Sequence, residues 1–341
     1  MDIEAIRQEF EKWNEDDDFS GVFSMRRDGR VEIEQAYGYA DFFEQRPNRT
    51  DTSMGIASGT KLFTALTVLR LAEEGRLSIE QPIGEILDIE FGNIHRSITV
   101  RQLLTHTSGV ADYFYEFEGE DFEDLWKNTP VNSMERVADF LPLFNHRPPR
   151  FAPGEKTEYC DSGFLLLGLA VEKASGKKYQ DAAAELVIDP CGLNNTGFYY
   201  ADRLPKNTAL GYMYDEKIKQ LKSNIFAIPI VGGPDGGVYT NARDIERLWS
   251  SLFHGNLLSQ STKSEMLKPH TRMPDMGKNV CYGLGIYIIE KEAEPPRYCI
   301  VGGDPGVEFF SIYQPDTRTV VSVLGNTGKN TWPLFAAISG W

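Results

Sequence analysis

Ser58 and Lys61 are the pair of residues in this sequence whose types and spacing best suit nucleophilic chemistry. They stand three positions apart in the segment GIASGTK, residues 55–61, directly before a run of apolar residues. In a helix, this spacing places both side chains on one face. The free N–H groups at a helix N-terminus also favour a developing anion. A hydroxyl beside an amine that can take its proton predicts an activated serine nucleophile.

The apolar run after Ser58 predicts a buried helix that ends near Gly75. Its leucines and phenylalanine cover most of the circumference, which is typical of a helix inside a large domain. Glycine is the usual residue at a left-handed helix end. Ser-x-x-Lys alone is a weak motif, and the chain contains a second match at 175–178. That match follows a helical pattern instead of preceding one, so we interpret it as a solvated helix end.

The composition is that of an ordinary globular chain with an acidic balance. The chain has 341 residues, of which 41% are hydrophobic and 25% charged, and its formal net charge is −15. This length supports a large core and two structural subdomains. A negative balance disfavours nucleic acid and anionic membranes, because both attract basic patches. We therefore expect neither as a partner.

No segment of the sequence has the pattern of a signal peptide or a transmembrane helix. The N-terminus is charged and amphipathic and contains no apolar core segment. The sequence thus predicts a cytoplasmic protein, or an extracytoplasmic one if a signal has been removed. The cysteines show no metal-binding spacing, so we expect free thiols, no metal site and no cofactor. They are Cys160, Cys191, Cys281 and Cys299.

Strand patterns occur near both ends of the chain and helical patterns dominate between them. Two strands are predicted at 19–25 and 30–37, joined by an Arg-Asp-Gly turn. Four more are predicted at 284–289, 297–301, 308–313 and 319–324. This order favours an α/β fold of the α+β type, with one antiparallel sheet flanked by helices and a separate all-helical lobe. The predicted domains are 1–80 with 225–341, and 81–224.

Further segments carry a family resemblance. Together with Ser58-Gly-Thr-Lys61, they resemble the motifs of the serine β-lactamase and penicillin-binding protein superfamily. The resemblance is closest to the branch of class C β-lactamases, DD-peptidases and family VIII esterases. It implies a β-lactamase/transpeptidase-like fold, and the segments follow the family order over most of the chain. They are TVRQLLTHTSG at 99–109, PGE at 153–155, YCDSGFLLLG at 159–168, GGVYTNARD at 236–244 and GGDPG at 302–306.

The resemblance implies a serine hydrolase that needs no cofactor. Ser58 would attack a carbonyl to form an acyl-enzyme, which water then hydrolyses. Lys61 and Tyr159 would share the proton transfers, and either could be the base because coupled groups titrate as a unit. The oxyanion would be bound by the backbone N–H groups of Ser58 and Gly303.

Two positions depart from the family pattern. Asp161 stands where the family usually has Asn, and an added carboxylate near Lys61 favours the charged ammonium. Ile300 replaces the polar or cationic residue that usually begins the third motif before Gly302. We assign Asp161, Ile300 and Gly302 to substrate binding. We predict a small ester, amide or peptide substrate that is neutral or carries a free amine for Asp161, and poor handling of β-lactam and D-Ala-D-Ala carboxylates.

Alternatives remain at this stage. The chain could be a catalytically weak homologue that binds a ligand or partner, or a penicillin-binding DD-carboxypeptidase that takes a cation from elsewhere. The aromatic residues Tyr113, Phe114, Tyr115 and Phe117 either line a buried loop or shape the acyl pocket. Glu308, just after the third motif, either lies on the strand surface or faces the cleft. His106 is expected to hydrogen-bond within a turn.

Overall fold

One antiparallel sheet joins the two ends of the sequence. A computed structural model describes residues 2–115, 122–273, 276–292 and 294–341, and within those ranges this sheet has eight strands. In spatial order they are Arg30–Tyr37 (β2), Gly21–Arg27 (β1), Thr319–Gly325 (β14), Val307–Gln314 (β13), Glu294–Asp304 (β12), Tyr287–Lys291 (β11), Val280–Tyr282 (β10) and Thr271–Arg272 (β9).

Short strand pairs connect the sheet to the rest of the chain. They are Tyr39–Asp41 (β3) with Arg46–Pro47 (β4), Met54–Gly55 (β5) with Tyr239–Thr240 (β8), and Tyr212–Asp215 (β6) with Gln220–Ser223 (β7). The β5–β8 pair matters most for the site, because β5 leads directly into the segment that contains Ser58.

Both faces of the sheet are covered, so its central strands are buried along their whole length. Every residue of β14 is buried. Because successive side chains alternate between faces, Val321 and Val323 belong to one apolar core, whereas Val320 and Leu324 belong to the other. The first core is closed by the helices Ile3–Trp13 (α1) and Trp332–Ser339 (α11), which also contact each other.

The remaining helices lie between the early and late strands in the sequence. None of the described helices combines the length and apolar composition needed to cross a bilayer. Their bounds are Lys61–Glu73 (α2), Ile83–Ile86 (α3), Val100–Leu104 (α4), Phe122–Leu125 (α5), Leu141–Phe144 (α6), Asp161–Ser175 (α7), Tyr179–Ala183 (α8), Ala242–Phe253 (α9) and Gln260–Met266 (α10). Short 3₁₀ turns cover Ala57–Thr60, Val131–Ser133 and Val137–Phe140, and a π-helical turn covers Ala184–Ile188.

Helix α2 is the central helix of the larger core. Ten of its residues, from Lys61 to Leu71, are buried, as its continuous apolar sequence predicts. It packs against α7 and α8. Gly75 follows its end with a φ of +70°, a conformation that glycine adopts without a steric penalty. The α-helix begins at Lys61 and not at Ser58, because Ala57–Thr60 form a tighter 3₁₀ turn before it.

The predicted fold class is confirmed, and one predicted strand begins three residues too early. The sheet is antiparallel and draws strands from both ends of the chain. Residues 284–286, however, belong to the turn between β10 and β11, and the strand begins only at Tyr287. Continuous apolar residues at this point fill the core in a turn, which periodicity alone does not distinguish from a strand. The division into two domains stays a prediction.

The burial of α2 gives a direct stability prediction. Leu66 is fully buried in the core, so Leu66→Ala removes apolar contacts and leaves a cavity. We expect the free energy of unfolding to fall by about 2–5 kcal/mol, measured by urea denaturation. Glu74→Ala, at the exposed end of the same helix, is the control and should change it by less than about 1 kcal/mol. Equal losses in the two variants would contradict the central role of α2.

Candidate active site

Ser58 lies in a tight turn between β5 and α2. The turn is closed by the N–H of Gly59, which donates to the Ile56 carbonyl over 2.8 Å. Ala57, directly before the serine, has a φ of +44°, an uncommon conformation for a residue with a side chain. The Ser58 side chain is partly accessible, whereas both neighbours are buried. The turn therefore presents one hydroxyl to solvent at the front of α2.

Lys61 is almost completely buried beneath Ser58. Its ammonium nitrogen lies 2.9 Å from Ser58 Oγ, 2.7 Å from the Asp235 carbonyl and 2.5 Å from Asp161 Oδ1. An ammonium has three hydrogens, so these acceptors satisfy all of them. Burial alone would lower the pKa of Lys61, but the carboxylates of Asp161 and Asp235 outweigh it and raise that pKa. Lys61 is thus held as a cation that donates to the serine hydroxyl.

Tyr159 is the second candidate base. It lies just before α7, and the Lys61 nitrogen is 4.9 Å from the centre of its ring. Ser58, Lys61 and Tyr159 line one small cavity together with Ile300. Because Lys61 already carries a proton, Tyr159 is the side chain in this group that can accept one from Ser58 while the ammonium stays in place.

His106 packs its ring against the Tyr159 ring. Its Nδ1 accepts a hydrogen bond from the Cys160 N–H over 3.1 Å, and its carbonyl accepts one from the Glu158 N–H over 3.0 Å. Its ring lies 4.6 Å from the Tyr159 ring, centre to centre. Burial and the charge of Lys61 lower the pKa of His106 well below its usual value, so it is neutral. The His106 N–H bonds within its own turn, to the Leu103 carbonyl over 3.3 Å, and the ring and carbonyl of His106 also anchor both neighbours of Tyr159.

Asp112 holds the start of α7 in place, a role that no pattern in the sequence indicated. Its carboxylate accepts hydrogen bonds from the N–H groups of Tyr113, Asp161 and Ser162 and from the Ser162 hydroxyl, at 2.6–2.9 Å. Burial, followed by the charge of Asp161, raises the pKa of Asp112 to about 7, although these donors oppose the shift. Asp112 thereby positions Asp161 against Lys61, although 49 residues separate the two aspartates in the sequence.

Asp235 belongs to a turn that α2 holds from two positions. Lys61 donates to the Asp235 carbonyl, and the Thr64 hydroxyl donates to the Pro234 carbonyl over 2.5 Å. The Asp235 carboxylate accepts a hydrogen bond from the Tyr113 hydroxyl over 2.8 Å. Burial, and then the charge of Asp161, raises the pKa of Asp235 to about 6. No pattern in the sequence indicated this contact between the Asp235 turn and Lys61.

Strand β12 supplies the wall beside Ser58. A side chain at Gly302 would bring its Cβ within 2.2 Å of the Ile56 carbonyl and 2.8 Å of the Ser58 nitrogen. Only glycine therefore allows the strand to approach the serine backbone so closely. Gly303, the next residue, lines the cavities on both sides of Ser58. This placement suits the backbone N–H groups of Ser58 and Gly303 to a shared oxyanion site.

Two cavities meet at Ser58. The first, of about 300 Å³, is lined among others by Tyr113, Phe114, Phe122, Tyr199, Asp161 and Asp235. The second, of about 450 Å³, is lined among others by Tyr159, Met276, Tyr287, Val301, Trp332 and Phe335. Ser58, Gly303 and Glu308 line both. In the described ranges of the chain, no lysine, arginine or histidine lines either cavity.

The structure brings all the residues predicted for the site around Ser58. Asp161 lines the first cavity, Gly302 the second, and Ile300 is buried in the small cavity above Lys61. Of the aromatic residues noted in the sequence, Tyr113 and Phe114 line the first cavity, and Tyr115 is not among its lining residues. Phe117 lies outside the described residues. The arrangement can perform nucleophilic attack on a carbonyl whose substituents occupy the two cavities.

The chain resembles known proteins over nearly its whole length. The β-lactamase family model matches residues 6–337. The crystal structure of a penicillin-binding protein from Bacillus halodurans superposes with a TM-score of 0.90 at 38% identity, covering 96% of this chain and 98% of that one. Penicillin-binding protein 4* of Bacillus subtilis is 28% identical over 94% of this chain and 71% of its own. Teichoic acid D-alanine hydrolase of Staphylococcus aureus is 26% identical over 92% and 72%.

The contact at Gly302 gives a prediction for catalysis. Gly302→Ala should push β12 away from Ser58 and misalign the oxyanion donors. We expect kcat for p-nitrophenyl acetate to fall about tenfold to a hundredfold, because small displacements at the reacting centre cost this much. Gly328→Ala is the matched control, since a Cβ there meets no atom within 4 Å. Unchanged kcat in a folded Gly302→Ala protein would show that the close approach is not needed.

Proposed function

Because the chain belongs to the β-lactamase family of serine hydrolases, we propose that it hydrolyses esters or amides of acyl groups that carry an ammonium, through an acyl-enzyme on Ser58. A D-aminoacyl ester, amide or peptide is the substrate class that we favour. This narrows the class expected from the sequence, which included neutral esters and amides.

The observation that carries the proposal is the charge of the two cavities. Asp161, Asp235, Asp304 and Glu308 line the first, and Glu308 also lines the second. Among the described residues, no lysine, arginine or histidine lines either cavity, and Lys61 is already bound to Asp161. A substrate carboxylate would therefore meet like charge in a poorly hydrated site, whereas an ammonium would meet opposite charge.

The relatives support the choice of acyl group. One of them is named a teichoic acid D-alanine hydrolase, and an acyl group derived from alanine carries an amine next to its carbonyl. Others are named penicillin-binding proteins, and penicillins carry a carboxylate. The charge of the cavities favours the first chemistry over the second for this chain.

The residues of the site would divide the reaction as follows. Ser58 Oγ attacks the substrate carbonyl while Tyr159, in its phenolate form, takes the proton, and Lys61 remains an ammonium that stabilises the developing negative charge. The N–H groups of Ser58 and Gly303 bind the oxyanion. The proton then passes to the leaving oxygen or nitrogen as the acyl–leaving group bond breaks. Water attacks the acyl-enzyme by the same route and releases the acid.

Substrates that differ only in charge test the proposal. We expect D-alanyl p-nitroanilide to be hydrolysed with a kcat/KM at least about tenfold above that of isobutyryl p-nitroanilide, in which a methyl group replaces the ammonium. Succinyl p-nitroanilide and nitrocefin should be turned over more slowly still. Mass spectrometry should detect an acyl adduct that Ser58→Ala abolishes.

Three results would count against this function. Activity that persists in Ser58→Ala would exclude the serine mechanism. Nitrocefin turnover comparable to that of ordinary class C β-lactamases would overturn the charge argument. The absence of any adduct or turnover would favour the alternative of a weak homologue that binds a ligand, which the fully bonded ammonium of Lys61 would then explain.

The contact between Asp161 and Lys61 predicts a change in pH dependence. The Asp161 carboxylate raises the pKa of Lys61, so Asp161→Asn removes a negative charge and makes proton loss from the Lys61–Tyr159 pair easier. The rise of kcat/KM with pH should therefore move to lower pH, by about one unit. Glu216→Gln, on an exposed turn, is the control. A profile that stays in place or moves to higher pH would contradict this coupling.

A further inference from the structure

Glu308 occupies a position that the family motifs do not account for. It lies on β13 directly opposite Gly303 of β12, so both residues face the same side of the sheet. Together with Ser58, these are the residues that line both cavities. The scissile carbonyl must lie where the nucleophile and the oxyanion donor meet, and Glu308 lines both of the cavities that adjoin this place.

The Glu308 side chain is held in place on one side only. Its Oε2 accepts a hydrogen bond from the Thr331 hydroxyl over 3.0 Å and from the Thr331 N–H over 3.4 Å. Its Oε1 points toward β12 and lies 3.9 Å from where a Cβ on Gly303 would be. Burial raises the pKa of Glu308, which the two bonds from Thr331 only partly offset. The part of the chain that the structure describes places no cation against it.

A carboxylate that no cation pairs with would destabilise an oxyanion formed beside it. When the substrate carbonyl becomes a tetrahedral oxyanion, it would be repelled by Glu308 across a short distance in a poorly hydrated cavity. A positive charge placed between the oxyanion and Glu308 would remove that repulsion and would also pair with the partly buried Glu308 carboxylate. Since the described residues provide no such charge, the substrate is the remaining source.

We propose that Glu308 binds the ammonium group on the carbon next to the scissile carbonyl and thereby selects α-aminoacyl substrates. In such a substrate the nitrogen lies about 2.5 Å from the carbonyl carbon. The ammonium therefore falls at the junction of the two cavities, where Glu308 lies. This inference rests on the proposed function and names the residue behind its substrate preference.

Other carboxylates of the site are less suited to this task. Asp161 is bound to Lys61 at 2.5 Å, and Asp235 already accepts a hydrogen bond from the Tyr113 hydroxyl. Asp304 lines the first cavity only. The amine that the sequence assigned to Asp161 is thus better placed at Glu308, and Asp161 is left to hold Lys61.

Because the substrate ammonium neutralises Glu308 during the reaction, the attraction between them should influence the chemical step as well as substrate binding. For an aminoacyl substrate, the attraction persists as the oxyanion forms, so kcat as well as KM benefits. For a neutral substrate, Glu308 is a hindrance. Removing its charge should therefore have opposite effects on the two classes, an outcome that a merely structural role would not produce.

The test compares D-alanyl and isobutyryl p-nitroanilide in the wild-type protein and in Glu308→Gln. Glutamine can still accept the hydrogen bonds from Thr331, so the fold should be retained. We expect kcat/KM for the alanyl substrate to fall and that for the isobutyryl substrate to rise, so that their ratio drops about tenfold to a hundredfold. Glu216→Gln, which removes a charge from an exposed turn away from both cavities, should leave the ratio unchanged.

Two further variants keep the inference testable. Thr331→Val removes one of the hydrogen bonds that orient Glu308 and should lower the ratio in the same direction, by a smaller factor. If Glu308→Gln fails to fold, Glu308→Asp, which keeps the charge but withdraws it by one methylene, replaces it and should lower the alanyl rate selectively.

The failures of the two proposals are distinguishable. If the wild-type protein prefers the alanyl substrate and Glu308→Gln leaves that ratio unchanged, or Glu216→Gln lowers it equally, the role of Glu308 is wrong and the proposed function stands. If the wild-type protein shows no preference between the substrates, both are wrong. If the ratio collapses in Glu308→Gln alone, both are supported.

Discussion

The buried ammonium of Lys61 is the interaction on which the rest of the site depends. Its three hydrogen-bond acceptors come from three separate parts of the chain: the Ser58 turn, the first residue of α7 and the turn at Asp235. An unpaired charge at this depth would be strongly destabilising, so the surrounding residues must supply both the partners and the geometry. Asp112 contributes to this geometry by holding the start of α7 in place. Thr64 contributes by holding the Pro234–Asp235 turn.

The same interaction decides how the site can work. With Asp161 in place, Lys61 donates a hydrogen bond to Ser58, so the proposed mechanism assigns the proton transfers to Tyr159. His106 makes this feasible, because it holds the backbone on both sides of Tyr159 while remaining neutral. A single Asn-to-Asp departure from the family pattern thus redistributes the roles of residues that are themselves typical of the family.

Substrate selection follows from the placement of charge around this centre. Several carboxylates line the two cavities, no lysine, arginine or histidine among the described residues lines either, and Lys61 pairs with Asp161. Ile300, where the family usually has a polar or cationic residue, is buried in the core above Lys61 and contributes no charge. Glycine at 302 keeps the oxyanion donors close to Ser58 despite that change. Gly302 therefore preserves the catalytic geometry, whereas Ile300 on the same strand bears on the substrate preference.

The sequence by itself determined the fold class, the Ser58–Lys61 pair and the order of the motifs. These depend on local patterns: alternation in strands, apolar continuity in α2 and fixed short spacings. It also indicated that Asp161 would favour a charged lysine, because that follows from residue type. It did not reveal Asp112 or Asp235, and it left Glu308 undecided between surface and cleft. Their roles arise from contacts between segments distant in sequence, such as Asp112 with Asp161 and Glu308 with Gly303 and Thr331. Only strand pairing and loop packing bring those segments together, so only the tertiary structure decided them.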